Sequence, residues 1–299
     1  MRNTSKEIAL GLDIGGMRIK TVAISADAEI LEEFRLDSDA KHGPHAVRKA
    51  IGVAVEHYRN LSIGFSKIGV GCAGSVMPKS GVVLNSPNFA DWKNVPLRAW
   101  VEEDFKVPAV VANDANCAMF TEWKLGNAKN CDNAVLLTFG TGIGGGLILN
   151  RRLYSGSTGT AAELGHFSIH ANGIECPCGN RGCFERYCSA SALEKQCPGF
   201  TAKQVFENAS EEPFRGVLAN HFANLKIALT SICNIFDPDV ILIGGGIATG
   251  LAKYLPEIRD SVKRSAFQTI ANHVQIIPTK FGNQSGSIGA ALLAFEPNE

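Results

Sequence analysis

Apolar residues in the first third of the chain fall into short runs. Ile8–Ile14, Ile19–Ser25 and Ile30–Leu36 are rich in branched side chains, and Gly15-Gly16 breaks the first from the second. Three consecutive strands are predicted there. After Pro44 the period lengthens, and Val47, Ile51, Val55 and Tyr58 share one helical face. Lys67–Cys72 and Val107–Ala112 read as buried strands, with a helix from Pro96 to Phe105 between them. The second run ends at Asn113-Asp114, which opens a helix through about Trp123.

The pattern then restarts. Ala134–Phe139 is strand-like and leads into the glycine-rich stretch Gly140–Gly146 and a strand at Leu147–Leu149. A cysteine-rich loop covers 172–188, and the longest helix runs from about Pro213 to Phe236. Val240–Ile243 leads into Gly244-Gly245-Gly246, Val274–Ile277 is the last strand, and Ser285–Phe295 closes as an apolar helix. Strands alternating with helices predict an α/β protein. Strand, glycine turn, strand occurs at Ile8–Ser25 and again at Ala134–Leu149. Two such hairpins facing one cleft would suit a nucleotide held between related lobes; chance similarity of two hairpins is the alternative.

Length and charge narrow the picture. A chain of 299 residues is long enough for two lobes with a core each. Lys plus Arg and Asp plus Glu both equal 29, so the basic footprint of a nucleic-acid binder is missing. The 45% apolar share is that of a folded globular protein. The early run Ile8–Leu12 is stopped by Asp13, and no stretch approaches the roughly 18 apolar residues of a membrane helix. A soluble, cytoplasmic protein without a membrane partner is expected. Nine cysteines, odd in number and unevenly clustered, point to metal binding or free thiols rather than a disulfide framework.

Candidate chemistry sits at the breaks in the pattern. Residues 140–145 match G-x-G-x-x-G, but the strand-like Gly146–Asn150 follows where a dinucleotide fold needs a helix. What remains is a turn of bare amides with one hydroxyl, Thr141, which is either an anion nest or a structural hairpin turn. Asp13, ending the first strand, is either a carboxylate that organises Mg²⁺ or an Asx-turn residue. His166, Cys176, Cys178 and Cys183 form H-x9-C-x-C-x4-C, with Gly179 and Gly182 allowing sharp turns. Three thiolates and an imidazole suit a closed, structural Zn²⁺ site, for which Cys188 is a competing ligand. Glu163 and Glu185 flank this loop and suit hydrogen bonding to a polyol. Asn113-Asp114 lies at a strand-to-helix switch, a common ligand position and equally a common helix cap.

Taken together, Asn113-Asp-Ala-Asn116, Gly140–Gly146, Glu163-Leu-Gly-His166, Cys176–Glu185 and Asp237–Gly246 resemble the ROK family, over about residues 8 to 295. That family contains bacterial sugar kinases and sugar-responsive repressors. The resemblance implies a two-lobed, actin-like, hexokinase-type (ribonuclease H-like) ATPase fold with an interlobe cleft. Residues 1–118 with the C-terminal helix 285–299 would form the smaller lobe, and 119–284 the larger, carrying the zinc loop 166–183. It further implies ATP-dependent phosphorylation of a hexose, glucose at its 6-hydroxyl being the commonest choice, with Asp114 as general base. N-acetylmannosamine, N-acetylglucosamine, fructose and allose are the other substrates to weigh. Gly74, Asn88, Asn113, Glu163, His166 and Glu185 match sugar-binding positions. Asp13, Gly15, Gly16, Gly140, Thr141 and Gly142 match the phosphate loops, and Gly245 the adenosine side. ATP, Mg²⁺ and structural Zn²⁺ are the implied cofactors, and a homodimer the implied assembly.

One position departs from the family. The first phosphate loop usually reads Asp-x-Gly-Gly-Thr, whereas here it ends in Met17, which has no hydroxyl to offer a phosphate oxygen. Losing one hydrogen bond costs on the order of 1 kcal/mol, so weaker use of ATP is expected. A sugar-binding protein with little kinase activity is the alternative that Met17 supports. A repressor needs an N-terminal DNA reader, and with seven residues before Ile8 that alternative is disfavoured.

Overall fold

The computed structural model describes residues 7–86, 89 and 91–297. In chain order it begins with β1 (Ile8–Ile14), β2 (Arg18–Ser25), β3 (Ile30–Asp37), α1 (Pro44–Asn60) and β4 (Lys67–Cys72). Then come β5 (Ser75–Met77), β6 (Val82–Asn85), β7 (Lys93–Val95), α2 (Leu97–Phe105), β8 (Ala109–Asn113) and α3 (Asp114–Leu125). The second half opens with β9 (Ala134–Phe139), β10 (Ile143–Leu149) and β11 (Arg152–Leu153). Helices α4 (Glu185–Cys188), α5 (Ala190–Gln196), α6 (Ala202–Glu207) and α7 (Phe214–Phe236) precede β12 (Val240–Gly244). The chain ends through α8 (Ala248–Ala252), α9 (Leu255–Lys263), α10 (Gln268–Ala271), β13 (Gln275–Pro278) and α11 (Ser285–Phe295). No described helix is long and apolar enough to cross a membrane.

Two compact units result. The first comprises Met1–Glu122, Ser155–Ala161 and Asn283–Glu299; the second comprises Trp123–Tyr154 and Ala162–Gly282. A border after residue 118 would cut α3, whose residues Ala115–Glu122 are all buried. Thr121 Oγ1 donates to the Ser285 carbonyl at 2.6 Å, tying this part of α3 to α11. Ser155–Ala161 joins the first unit because Gly159 presses on Pro78: a Cβ there would stand 2.0 Å from the ring.

In the first unit the sheet order is β3-β2-β1-β4-β8, antiparallel from β3 to β1 and parallel from β1 to β8. One face carries Leu10, Leu12, Ile14, Ile68 and Val70 against α1, whose buried stripe is Val47, Ile51, Val55 and Tyr58. The opposite face is bare. Gly11 and Gly69 are paired across β1 and β4, and a Cβ on either would fall within 2 Å of a carbonyl oxygen of α11. The small residues of α11 therefore lie directly on the sheet backbone. A three-stranded sheet, β5-β6-β7, completes this unit; its strands of three and four residues are too short to show a period in the sequence.

The second unit repeats the arrangement as β11-β10-β9-β12-β13. Its core is built from Val135, Leu137, Ile241 and Ile243 of the sheet with Leu225, Leu229 and Ile232 of α7. The glycine-rich stretch is less of a loop than its composition suggests. Only 140–142 turn, and the ladder resumes at Ile143 opposite Phe139. Gly145 sits inside β10 because a Cβ there would meet the Ala162 carbonyl at 2.4 Å and Leu164 Cγ at 2.9 Å. Glycine in a strand here marks the close approach of another segment. The strand expected from Val107 starts two residues later, after Pro108, which cannot donate to a ladder.

Candidate active site

In the first unit the chemistry gathers at the carboxyl ends of parallel strands, where α/β sheets present ligands. Asp13 lies beside Gly71 on β4, which lies beside Ala112 on β8, one residue before Asn113 and two before Asp114. Asn113 Oδ1 accepts from the Ala115 and Asn116 amides at 2.9 and 3.2 Å, capping α3, and its Nδ2 donates to the Gly74 carbonyl at 3.1 Å. Asp114 Oδ1 accepts from the Ala115 amide at 2.9 Å, which orients the carboxylate at the first turn. Gly74 has φ +112°, and a Cβ there would stand 2.3 Å from the Asn85 carbonyl, so only glycine fits. Gly74, Asn113 and Asp114 thus form one hydrogen-bonded corner. Asn88 lies outside the described residues.

Asp13 is largely enclosed. Burial pushes its carboxyl above the ordinary carboxylate value, opposed by the ammonium of Lys20, whose Nζ stands 3.3 Å from Oδ2. Lys20 is the register partner of Asp13 on β2. Burial, and after it the charges of Asp13 and Asp114, raise the thiols of Cys72 and Cys117 well above the usual cysteine range. Both carboxylates therefore act on one pair of thiols. The Gly15-Gly16 turn is closed by the Gly15 amide donating to Arg18 O at 2.9 Å. Ser38 pins its outer side, with Oγ donating to Gly16 O at 3.0 Å and its amide to Met17 O at 3.0 Å. The Met17 side chain itself is 85% exposed. Lys20 and Ser38 escaped sequence reading, because strand register and a distant loop end bring them in.

In the second unit three sequence-distant segments converge. The 140–142 turn closes with the Gly140 amide donating to Gly142 O at 2.9 Å. Glu185 Oε2 accepts from the Ile143 amide at 2.8 Å, and a Cβ on Gly142 would stand 2.2 Å from that oxygen. Gly142 is thus glycine to admit the Glu185 carboxylate. Gly165 presses on Ile143 in the same way, with 2.3 Å from a Cβ to its carbonyl oxygen. This brings Glu163 and His166 to the start of β10. Burial raises the Glu163 carboxyl, His166 lowers it and the Glu185 charge adds to the rise, so the three side chains interact. Gly245, with φ +90°, packs against Phe139, and the Ile247 amide donates to Phe139 O at 3.2 Å. The Gly244–Ile247 turn accordingly adjoins the start of the Gly140 turn, in which Thr141 is exposed.

The four predicted metal ligands come together. The ligand atoms of His166, Cys176, Cys178 and Cys183 all lie within 4.8 Å of one another, among the described residues the only cluster of this kind. Cys176 Sγ is 3.6 Å from His166 Nδ1, and Cys178 Sγ is 3.7 Å from Cys183 Sγ. A tetrahedron with Zn–S bonds of about 2.3 Å has edges of about 3.8 Å, so the donor set fits zinc. No disulfide joins these thiols. Cys188 is buried and its Sγ faces the His221 carbonyl at 3.5 Å, outside the set. Gly182 has φ +72°, and a Cβ there would stand 1.8 Å from His170 O, so only glycine fits in the turn before Cys183.

Known proteins share this architecture. The sequence matches the model of the ROK family over residues 9–296. It is 32% identical to a glucokinase of Streptomyces coelicolor, covering 97% of this chain and 98% of that one. It is 28% identical to a xylose repressor of Bacillus spizizenii, over 98% of this chain and 78% of the repressor. Among solved structures, a ROK family glucokinase from Streptomyces griseus, in complex with glucose and AMPPNP, superposes with a TM-score of 0.82 at 30% identity, covering 96% of this chain and 99% of that one. The two-unit α/β architecture is therefore the actin-like, hexokinase-type fold. By sequence and by fold, the chain belongs to the ROK family.

Proposed function

We propose that this protein is an ATP-dependent hexose kinase, with the 6-hydroxyl of glucose as the acceptor to test first. The observation that carries the reading is the Asp114 carboxylate, oriented by the Ala115 amide at a parallel strand's end with Asn113 braced on Gly74 beside it. The glucokinase relatives, similar over nearly the whole chain, support a sugar kinase as the class of activity. In this reading Asp114 accepts the hydrogen bond of the attacking hydroxyl and takes its proton as the phosphoryl group transfers. A loose transition state needs little covalent chemistry, so positioning and charge stabilisation carry the rate. Asn113, Glu163, His166 and Glu185 pair the remaining sugar hydroxyls, and a sugar that leaves those groups unpaired is rejected.

The Gly15-Gly16 and Gly140-Thr141-Gly142 turns are assigned to the donor phosphates, and Gly245 to the adenosine side. Asp13 is the carboxylate that would hold Mg²⁺ beside those phosphates, since Mg²⁺ is usually bound by one or two carboxylates plus substrate oxygens. When bound, the ion would neutralise phosphate charge. His166, Cys176, Cys178 and Cys183 are assigned to a structural Zn²⁺, for which the sulfur and nitrogen spacing is the support. With Nδ1 turned to the metal cluster, His166 keeps Nε2 for a sugar hydroxyl.

A coupled assay of ADP formation over glucose, N-acetylmannosamine, N-acetylglucosamine, fructose and allose tests the proposal. Sugar-dependent ADP release with at least one of them is expected. Tight sugar binding by calorimetry with no ADP release from any of the five would overturn it, in favour of a sugar-binding protein.

A further inference from the structure

Next to the Gly140 turn the second unit holds a cavity of about 200 Å³. Its polar lining is Thr141, Glu185, Arg186, Ser189, Ser191 and Lys195. Two of the six are cations, three carry hydroxyls, and only Glu185 is anionic. Glu185 is already engaged, one oxygen accepting from the Ile143 amide at 2.8 Å. Neither Arg186 nor Lys195 has a carboxylate within ion-pair distance, and Arg186 Nε is buried without a hydrogen-bond partner. Thr141, exposed in that turn, brings a hydroxyl to the lining. Backbone holds the wall in place: the Ala190 amide donates to Gly140 O at 2.9 Å, and Ser189 Oγ caps α5 through the Ala192 amide at 3.1 Å.

Two unpaired cations facing one small cavity repel each other, and a buried guanidinium nitrogen without an acceptor costs energy until an anion arrives. A chain of linked phosphates removes both penalties. It brings several negative oxygens, accepts from a planar guanidinium and an ammonium together, and fits where hydroxyls supply further donors. We propose that Arg186 and Lys195, with the Thr141 and Ser191 hydroxyls, bind the phosphate chain of the phosphoryl donor, continuing the site of the Gly140 turn. The inference deepens the kinase reading and rests on it for the role of the ligand. The chemistry of the cavity is common to a nucleoside triphosphate and to inorganic polyphosphate.

The test titrates the whole, zinc-loaded chain with inorganic tripolyphosphate and with AMPPNP by calorimetry, for wild type, Arg186→Ala, Lys195→Ala and the double variant. Each single substitution is expected to weaken tripolyphosphate binding about tenfold, as loss of one charge-assisted hydrogen bond does, and the double variant by more. Lys195→Arg should retain most of the affinity, and hexose affinity should not change. In turnover the substitutions should raise KM for the donor more than they lower kcat. Lys195 is exposed, so its variant folds even where loss of the Arg186 stem disturbs packing. Tripolyphosphate bound as tightly by the double variant as by wild type, or not bound by wild type at all, overturns the proposal. Wild type that binds tripolyphosphate but phosphorylates no hexose leaves the cavity assignment standing and removes the kinase reading. Hexose phosphorylation with an unchanged donor KM in the double variant does the reverse. AMPPNP binding far tighter than tripolyphosphate identifies a nucleotide donor, and equal affinities identify polyphosphate; both support the assignment.

Discussion

The two sheets have the same order and the same directions, β3-β2-β1-β4-β8 and β11-β10-β9-β12-β13, yet they carry different residues at matching places. The hairpin-closing pair Ile14–Ile19 of one corresponds to Phe139–Ile143 of the other. Counting back one residue, Asp13 in the first sheet stands where Thr138 stands in the second. Two further back, the Gly11–Gly69 pair stands where Leu136–Leu242 stands. In the first unit the bare glycines let α11 rest on the strands, so closely that Gly286 presses on the Asp13 carboxyl, 2.7 Å from a Cβ there to Cγ. In the second, leucines fill that face and the chemistry moves outward, into loops held by Glu185 and the cysteine cluster. One topology thus supports two specialised halves, one with Asp13 and Asp114 at strand ends and one with Glu163, Glu185 and the cysteine cluster on loops.

Zinc loss should separate the halves most. On the proposed zinc assignment, Cys176→Ser is expected to reduce bound zinc from one per chain to near zero by atomic absorption. It should destabilise the second unit by more than about 4 kcal/mol, the scale of a lost structural metal. Hydrogen exchange should then rise at Glu163–Glu185 while β1 and β4 stay protected. Uniform loss of protection from β1 to β13 would contradict a stabilising role confined to the cysteine loop.

Matched substitutions at the sheet face come next. Gly69→Ala should cost about 2–3 kcal/mol through overpacking, since a Cβ there nearly touches Ala290 O. Leu242→Ala should cost about 3 kcal/mol through a cavity at the equivalent place. Urea unfolding of each variant measures both. A neutral Gly69→Ala would show that α11 does not lie on the glycines.

The two turns differ in how much room they have. Gly142→Ala drives a methyl to 2.2 Å from Glu185 Oε2, whereas at Gly15 the nearest atom to a Cβ is Arg18 O at 3.2 Å. Gly142→Ala should therefore lower kcat/KM for the hexose by about 10–100-fold, as displacement of a positioning group does. Gly15→Ala should lower it several-fold at most, and equal losses would deny Glu185 its special place. Met17→Thr is the smallest change. Restoring one hydroxyl should raise kcat/KM for ATP by up to about tenfold, on the order of 1 kcal/mol. No change would mean that the exposed Met17 position never meets the phosphates.

Much of this was legible in sequence, for local reasons. Strand ends marked by Gly15-Gly16 and Asn113-Asp114, and the α1 stripe, depend on neighbours in the chain. The ligand spacing of His166 and the three cysteines is also local, since 17 residues separate the first from the last. What stayed hidden depends on segments that meet only in the fold. Gly144–Gly146 look like a loop in composition but are strand because they pair with Leu136–Thr138 of β9, and Gly145 leaves room for Ala162 and Leu164. Lys20 meets Asp13 through register, Ser38 meets the first turn from the end of β3, and Arg186 of α4 lines one cavity with Thr141.

Asp114→Asn is the most direct test of the central claim. The substitution keeps size and the oxygen that accepts from the Ala115 amide, and removes the carboxylate. Sugar-dependent ADP formation should fall by about 10²–10⁴-fold, the usual contribution of a general base, while calorimetry gives an unchanged hexose affinity. Turnover within a few-fold of wild type would contradict the assignment of Asp114 as the base, and with it the reaction proposed for this site.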